Sequence, residues 1–160
     1  MYFTAAIFSL ALAIPAIAFP SNLTARDDLT CVHCGTTSDA TLSDCQALVQ
    51  PDVWNGAWAG GSNKCHWSNA RPGWQNNEAF NVACHGNCCA YYSAYPGRPS
   101  TLDSEITRQR AASLLGCGAT NVNKINGLEI AKADKSGVCL SNGDGCGDCF
   151  DDNDFASSCA

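Results

Sequence analysis

Residues 80–94, FNVACHGNCCAYYSA, are the stretch of sequence that decides the fold. Phe80, Val82 and Cys84 alternate with other residues in the period-two pattern of a β-strand. His85-Gly86-Asn87 supplies a turn, and the tyrosines that follow are typical of a second strand. The stretch therefore predicts a β-hairpin.

Two adjacent cysteines, Cys88 and Cys89, begin the second strand of this hairpin. Successive side chains of a strand point to opposite faces of the sheet. We therefore expect the two cysteines to form disulfides with different partners and to tie the hairpin to both neighbouring layers.

Helical patterns lie on both sides of the hairpin. Apolar residues recur at helical spacing within residues 41–50, and Pro51 is predicted to stop that helix. Asp103 is a candidate N-cap for a helix over residues 104–115, and the glycines beside Cys117 predict a left-handed end. The segment of residues 52–74 is predicted to be loop with short extended pieces.

A second hairpin is predicted over residues 128–140, with apolar alternation on both sides of a loop at residues 134–137. Helices on one side of an antiparallel sheet fit this order of elements. The predicted fold class is α+β: a small disulfide-rich domain with two short helices packed on an antiparallel sheet built from two hairpins.

The chain is poor in large aliphatic residues and rich in cysteine. After residue 18, only 22 of 142 residues are Leu, Ile, Val or Phe, a fraction typical of chains that cannot fold on core burial alone. Disulfides in an oxidising compartment restrict the unfolded chain and offset this deficit. The cysteines, whose pairing the sequence leaves open, are Cys31, Cys34, Cys45, Cys65, Cys84, Cys88, Cys89, Cys117, Cys139, Cys146, Cys149 and Cys159.

The N-terminal residues 1–18 are uncharged and end in Ala16-Ile17-Ala18, the small-x-small pattern of a signal-peptidase site. We expect residues 1–18 to be a signal peptide and residues 19–30 to be a mobile polar segment. Asn22 begins an acceptor tripeptide for N-glycosylation. Residues 31–160 would then form one extracellular domain with an acidic, cysteine-rich C-terminal tail.

The net charge is −6 and no basic cluster occurs, which argues against binding to nucleic acid or to anionic membranes. No second apolar run follows the predicted signal peptide, so we expect no membrane span. The expected protein is a secreted monomer whose partner is an extracellular protein or a polysaccharide of unknown identity.

Two groups of residues have features of a metal site, and each also has a purely structural interpretation. Cys31-x-x-Cys34 and Cys146-x-x-Cys149 have the spacing of zinc ligands, but in a secreted chain this spacing favours disulfides. Aspartates crowd residues 144–154 and could supply oxygen ligands for Ca²⁺, although the order of residues departs from a calcium-loop consensus. We predict neither metal nor cofactor.

Four tryptophans, Trp54, Trp58, Trp67 and Trp74, fall close together among Asn and Gly. Exposed indoles stack on sugar faces, so this segment is a candidate carbohydrate-binding surface. The alternative is that the tryptophans fill a core otherwise short of large apolar groups.

Catalytic signatures are weak. A glycosidase needs two paired carboxylates, and the only glutamates are Glu78, Glu105 and Glu129, none of which has an evident aspartate partner. We predict no catalytic residue and no enzymatic activity, and a small secreted hydrolase is the weaker alternative.

Together with the predicted signal peptide, three sequence features resemble those of small cysteine-rich secreted proteins of filamentous fungi. They are Ser43-Asp44-Cys45-Gln46-Ala47-Leu48, the Cys88-Cys89 pair and Cys146-Gly147-Asp148-Cys149-Phe150-Asp151-Asp152. Over residues 34–139 the pattern is weakly similar to the necrosis-inducing effector family and its killer-toxin-like relatives. That resemblance implies a secreted α/β sandwich without enzyme activity, acting on host or competitor cells, and it carries over no active-site residue.

Overall fold

The computed structural model describes residues 30–35, 40–66, 78–94, 102–143, 149–150 and 155. Three α-helices and eight β-strands lie within these residues, together with short 3-10 turns at residues 60–62 and 114–117. The helices are α1 (Leu42–Leu48), α2 (Pro51–Ala57) and α3 (Ser104–Ser113). The strands are β1 (Thr30–Cys34), β2 (Ala40–Thr41), β3 (Lys64–His66), β4 (Glu78–His85), β5 (Cys88–Ala94), β6 (Lys124–Ile125), β7 (Gly127–Ala131) and β8 (Ser136–Ser141).

Six of the strands form one antiparallel sheet in the order β1-β7-β8-β5-β4-β3. The two predicted hairpins, β4–β5 and β7–β8, are both confirmed, and they meet where β5 pairs with β8 at the centre of the sheet. The short strands β2 and β6 pair separately. The α+β class is therefore confirmed, with three helices rather than two and with edge strands β1 and β3 added to the hairpins.

One face of the sheet, called here the helix face, packs against the three helices. Leu48 of α1, Trp54 of α2 and Ala111 of α3 are fully buried there against strand residues such as Val138 and Leu140. These apolar positions explain why the helices form where they do, because α1 and α2 turn their buried residues toward β4 and α3 turns its buried residues toward β8.

The opposite face, called here the tail face, is covered by Cys149, Phe150 and Phe155, the residues after 143 that the structure describes. Phe150 and Phe155 are buried against Leu128 and Ile130, and their two ring centroids are 5.9 Å apart. Gly137 makes this approach possible, because a Cβ at that position would lie 2.7 Å from the Phe150 ring. The sheet is thus buried on both sides.

The helical prediction around Pro51 is wrong in one respect. The first helix ends as expected near residue 50, but Pro51 is the first residue of α2 rather than a stop. Proline suits the first helical position because its fixed φ is helical and its missing N–H would have no partner there. The segment predicted to be loop therefore contains a second helix, which buries Trp54.

The prediction for α3 is confirmed at its start and wrong at its end. Asp103 is the N-cap, and its side-chain Oδ1 accepts a hydrogen bond of 2.8 Å from the Ile106 N–H. The helix ends in a 3-10 turn, and Gly118 has φ −72°, so no left-handed glycine closes it. A tightened last turn satisfies the final carbonyl groups instead.

The hairpin β4–β5 contains a register shift between Asn81 and Ala83. As a result Val82 and Ala83 are both buried in the helix-face cluster, and the simple alternation predicted from Phe80 to Cys84 is interrupted. Thr30 also departs from expectation, because it already begins β1 rather than ending the polar segment predicted for residues 19–30.

No helix within the described ranges is both long and apolar enough to cross a membrane. The predicted signal peptide lies outside those ranges.

Candidate functional site

The tryptophan segment is divided between core and surface. Trp54 is fully buried, and its indole Nε1 donates a hydrogen bond of 3.1 Å to Ser104 Oγ, which links α2 to α3. A side chain with no exposed area cannot stack on a sugar, so the assignment of Trp54 to a carbohydrate-binding surface is wrong. Trp58 is half-buried and packs on Trp54 with ring centroids 5.6 Å apart. Trp67 and Trp74 lie outside the described residues.

A buried ion pair lies between α3 and the sheet. Arg110 Nε donates to Glu129 Oε1 at 3.0 Å, and both side chains are more than nine-tenths buried. The Arg110 guanidinium also donates to Ser136 Oγ at 2.8 Å and to the carbonyl oxygens of Glu129 and Ser136. Ser113 Oγ donates to the other carboxylate oxygen, Glu129 Oε2, at 2.6 Å. Because every partner belongs to α3, β7 or β8, this network joins the helix layer to the sheet.

The sequence alone did not reveal this network. Glu129 lies between Leu128 and Ile130, and such alternation usually places the polar residue in solvent. Here the polar face is covered by α3, so Glu129 needs a cationic partner, and Arg110 provides it. Only one sequence signal points to this network: a glutamate that alternates with apolar residues in a strand, together with an arginine in a nearby amphipathic helix.

Glu105 lies on the surface of α3, where its carboxylate accepts hydrogen bonds from two side chains of the same helix. Hydrogen bonds from Arg108 and Gln109 lower the pKa of its carboxyl group from 4.5 to about 2. Arg108 also donates to the carbonyl oxygen of Val49 at 2.9 Å and so joins α3 to the end of α1. Both glutamates whose side chains are described therefore have structural partners.

The tip of the first hairpin is held by α1. The Asn87 N–H donates a hydrogen bond of 2.8 Å to Asp44 Oδ2. Gly86 has φ +55°, a conformation that favours glycine, and a Cβ there would lie 2.5 Å from the Asp44 carboxylate. Asp44 belongs to one of the motifs singled out in the sequence, and its contact shows a structural use for that motif.

Four disulfides are described with both of their cysteines: Cys34–Cys117, Cys45–Cys88, Cys84–Cys89 and Cys139–Cys149. Cys31 and Cys65 are also disulfide-bonded, whereas Cys146 and Cys159 lie outside the described residues. The cysteines of the first zinc-spaced motif are thus in disulfides.

The expectation for the adjacent cysteines is confirmed in part. Cys88 and Cys89 have different partners and belong to the clusters on opposite faces of the sheet. Cys88 ties the hairpin to α1 through Cys45. Cys89 bonds instead to Cys84, which lies directly opposite in the same hairpin, so the prediction that it reaches a second layer is wrong.

Within the part of the chain that the structure describes, no three His, Cys, Asp or Glu side chains come together as a metal site. His33 lies in edge strand β1, and its buried Nε2 has no hydrogen-bond partner among the residues that the structure describes. The calcium candidates between residues 144 and 154 and the glycosylation candidate Asn22 lie outside the described residues.

Comparison with known proteins gives no relative for this chain: no protein-family model, no curated protein and no solved structure matches it.

Proposed function

We propose that this chain is a secreted, non-enzymatic interaction protein, effector-like or toxin-like, that acts outside the cell through its surface. The observation that carries the proposal is that the described glutamate side chains, which would be candidates for acid–base catalysis, are held in structural ion pairs. Glu129 and Arg110 are buried together as a link between layers, and Glu105 is paired with Arg108. Side chains committed to such contacts are poor candidates for acid–base catalysis.

The disulfides support the extracellular part of the proposal. Four described bridges stabilise a small domain, and such bridges persist in oxidising compartments. The acidic net charge of −6 favours a protein or uncharged polysaccharide partner over nucleic acid.

A secretion experiment tests the first half of the proposal. The full chain is expressed in a fungal secretory host, and the protein in the medium is examined by N-terminal sequencing and by non-reducing peptide mapping. We expect a mature terminus at Phe19 and no free thiol. Retention in the cell, or a free thiol pair in the native protein, would contradict it.

A cell assay tests the second half. Purified protein is applied to host plant tissue and to competing fungal cells, with the same protein fully reduced and alkylated as the control. We expect cell death or growth arrest from the oxidised protein only. An equal response to both samples would contradict a surface action that depends on the fold. Turnover of ester, peptide or glycoside substrates would contradict the non-enzymatic part of the proposal.

Polysaccharide binding is a second candidate function, and Trp58 is the observation that favours it. Its indole is partly exposed and is supported from behind by the buried Trp54 ring. Pull-down on insoluble chitin and β-glucan tests this candidate. If the surface binds sugar, W58A should lose binding, whereas the core variant W54F should keep it. Binding that W58A leaves unchanged would exclude this surface.

A further inference from the structure

The Cys84–Cys89 bridge lies at the most exposed part of the first hairpin. Residues 84–87 are all exposed, whereas Cys89 is 2% exposed and belongs to the tail-face cluster. The two cysteines are directly opposite in the register of β4 and β5 and only five positions apart in sequence. An external thiol can therefore reach the bridge from the Cys84 side.

We propose that Cys84–Cys89 is a thiol–disulfide exchange site, which a dithiol reductant opens and an oxidant recloses while the rest of the fold stays intact. The two other described bridges that involve strands β5 and β8 are buried. All four cysteines of Cys45–Cys88 and Cys139–Cys149 are at most 2% exposed, which shields them from direct attack.

The hairpin tip keeps its conformation without the bridge, because other contacts hold it. Asp44 accepts the Asn87 N–H, Gly86 supplies the left-handed turn residue, and Cys45–Cys88 fixes the adjacent position to α1. Strand β5 also pairs with β8 along its length. Loss of a bridge across five positions relaxes the unfolded chain less than loss of Cys45–Cys88 or Cys139–Cys149, which close separations of 43 and 10 positions.

The exchange balances as two successive displacements. A thiolate of the dithiol attacks Cys84 Sγ, the Cys84–Cys89 bond breaks, and Cys89 leaves as a thiolate that takes up a proton. The second thiol of the reductant then attacks the mixed disulfide and releases Cys84 as a thiol. The protein gains two electrons and two protons, and the reductant leaves as its cyclic disulfide.

The reduced state has a hydrogen-bond acceptor in place. Cys84 Sγ lies 3.1 Å from Asn81 Oδ1, so a Cys84 thiol can donate to that oxygen. The Cys34–Cys117 bridge also has one exposed cysteine, Cys34, but it closes a separation of 83 positions, so its loss relaxes the unfolded chain far more, and Cys117 Sγ is 4.0 Å from the His33 carbonyl oxygen. That bridge is the internal comparison for selectivity.

The test is graded reduction of the native, full-length secreted protein with dithiothreitol, followed by alkylation, peptide mapping and near-ultraviolet circular dichroism. We expect Cys84 and Cys89 to be labelled at a reductant concentration about tenfold lower than any other cysteine, with the dichroism unchanged. Removal of the reductant should restore the bridge. Earlier labelling of Cys34 and Cys117, or labelling only with loss of the dichroism, would overturn the proposal.

Two variants make the result independent of accidental unfolding. C84S/C89S should fold with native dichroism and show no labelled thiol at the concentration that opens the wild-type bridge. C45S/C88S removes the buried bridge next to it and should still show selective labelling of Cys84 and Cys89. Failure of C84S/C89S to fold would overturn the proposal, because the tip would then depend on the bridge.

Discussion

The helix face and the tail face of the sheet are buried by different means. Three helices cover the helix face, and side chains of α3 join it both to the sheet, as Arg110 does to Glu129, and to the end of α1, as Arg108 does to Val49. The described cover of the tail face consists of residues 149, 150 and 155, tied to the central strand by Cys139–Cys149. The helix face therefore joins distant parts of the chain, whereas the tail face depends on a bridge between cysteines ten positions apart.

This difference predicts two kinds of failure. Damage to the helix face should lower the stability of the whole domain, because its contacts connect α1, α2, α3 and the strands. Damage to the tail face should open that face locally while the helices remain packed. Four changes, ordered by expected size, can break or sharpen this contrast.

The largest effect is expected from R110M. It leaves the Glu129 carboxylate buried without its cation, which should cost about 3–5 kcal/mol in the free energy of unfolding. The double variant R110M/E129L removes both charges and should recover most of that loss. Urea unfolding under non-reducing conditions measures both. A single variant that loses less than about 1 kcal/mol would show that the pair does not join the layers.

Removing one bridge from each face gives the next effect. By loop closure, C45A/C88A should cost about 4 kcal/mol and C139A/C149A about 3 kcal/mol. The sharper contrast is in limited proteolysis: C139A/C149A should be cut near the tail while the helices stay protected. Global cleavage of both variants at equal rates would erase the distinction between the faces.

A smaller effect is expected from D103A on the helix face. The variant loses the N-cap hydrogen bond to the Ile106 N–H and should cost about 1 kcal/mol. D103N keeps an acceptor at the same place and serves as the matched control. Thermal unfolding of the two variants should separate them, and equal losses would mean that the charge of Asp103, rather than its cap, is what stabilises α3.

The smallest effect concerns pH and Glu105. The hydrogen bonds from Arg108 and Gln109 hold its pKa at about 2, below the ordinary 4.5. A pKa lowered in the folded state adds stability that is complete above pH 4.5 and is lost as the pH falls towards 2. The Glu105 side chain is 57% exposed, so solvent and salt weaken this contribution. The melting temperatures of wild type and E105Q, measured at low salt, should therefore converge between pH 5.5 and 2.5; a constant difference would contradict this.

The sequence predicts the local elements of this fold well. Both hairpins and the start of α3 follow from alternation, turn residues and the Asp103 cap, all of which act over a few neighbouring residues. Pro51 misleads because proline can follow one helix and also begin the next. Only the tertiary structure decides between these two roles.

The candidate site was less predictable, because burial on two faces depends on distant segments. Alternation in β7 correctly separates Glu129 from its apolar neighbours, but it does not say that a helix covers the polar side. The sequence around Trp54 is likewise compatible with a core position and with a surface position, and only the structure shows that Trp54 is buried. The pairing of Cys89 with Cys84 depends on strand register, which cysteine spacing alone leaves open.

The position of Cys149 in the chain has a consequence for biosynthesis. The cysteines of Cys45–Cys88 and Cys84–Cys89 emerge from the ribosome well before Cys149. Cys139 and the apolar side of β7 emerge before Cys149 and Phe150 exist to cover them. During synthesis from the N-terminus, the apolar side of β7 therefore stays uncovered until residues 149–155 have been made, and an uncovered apolar surface on an unfinished chain is prone to association.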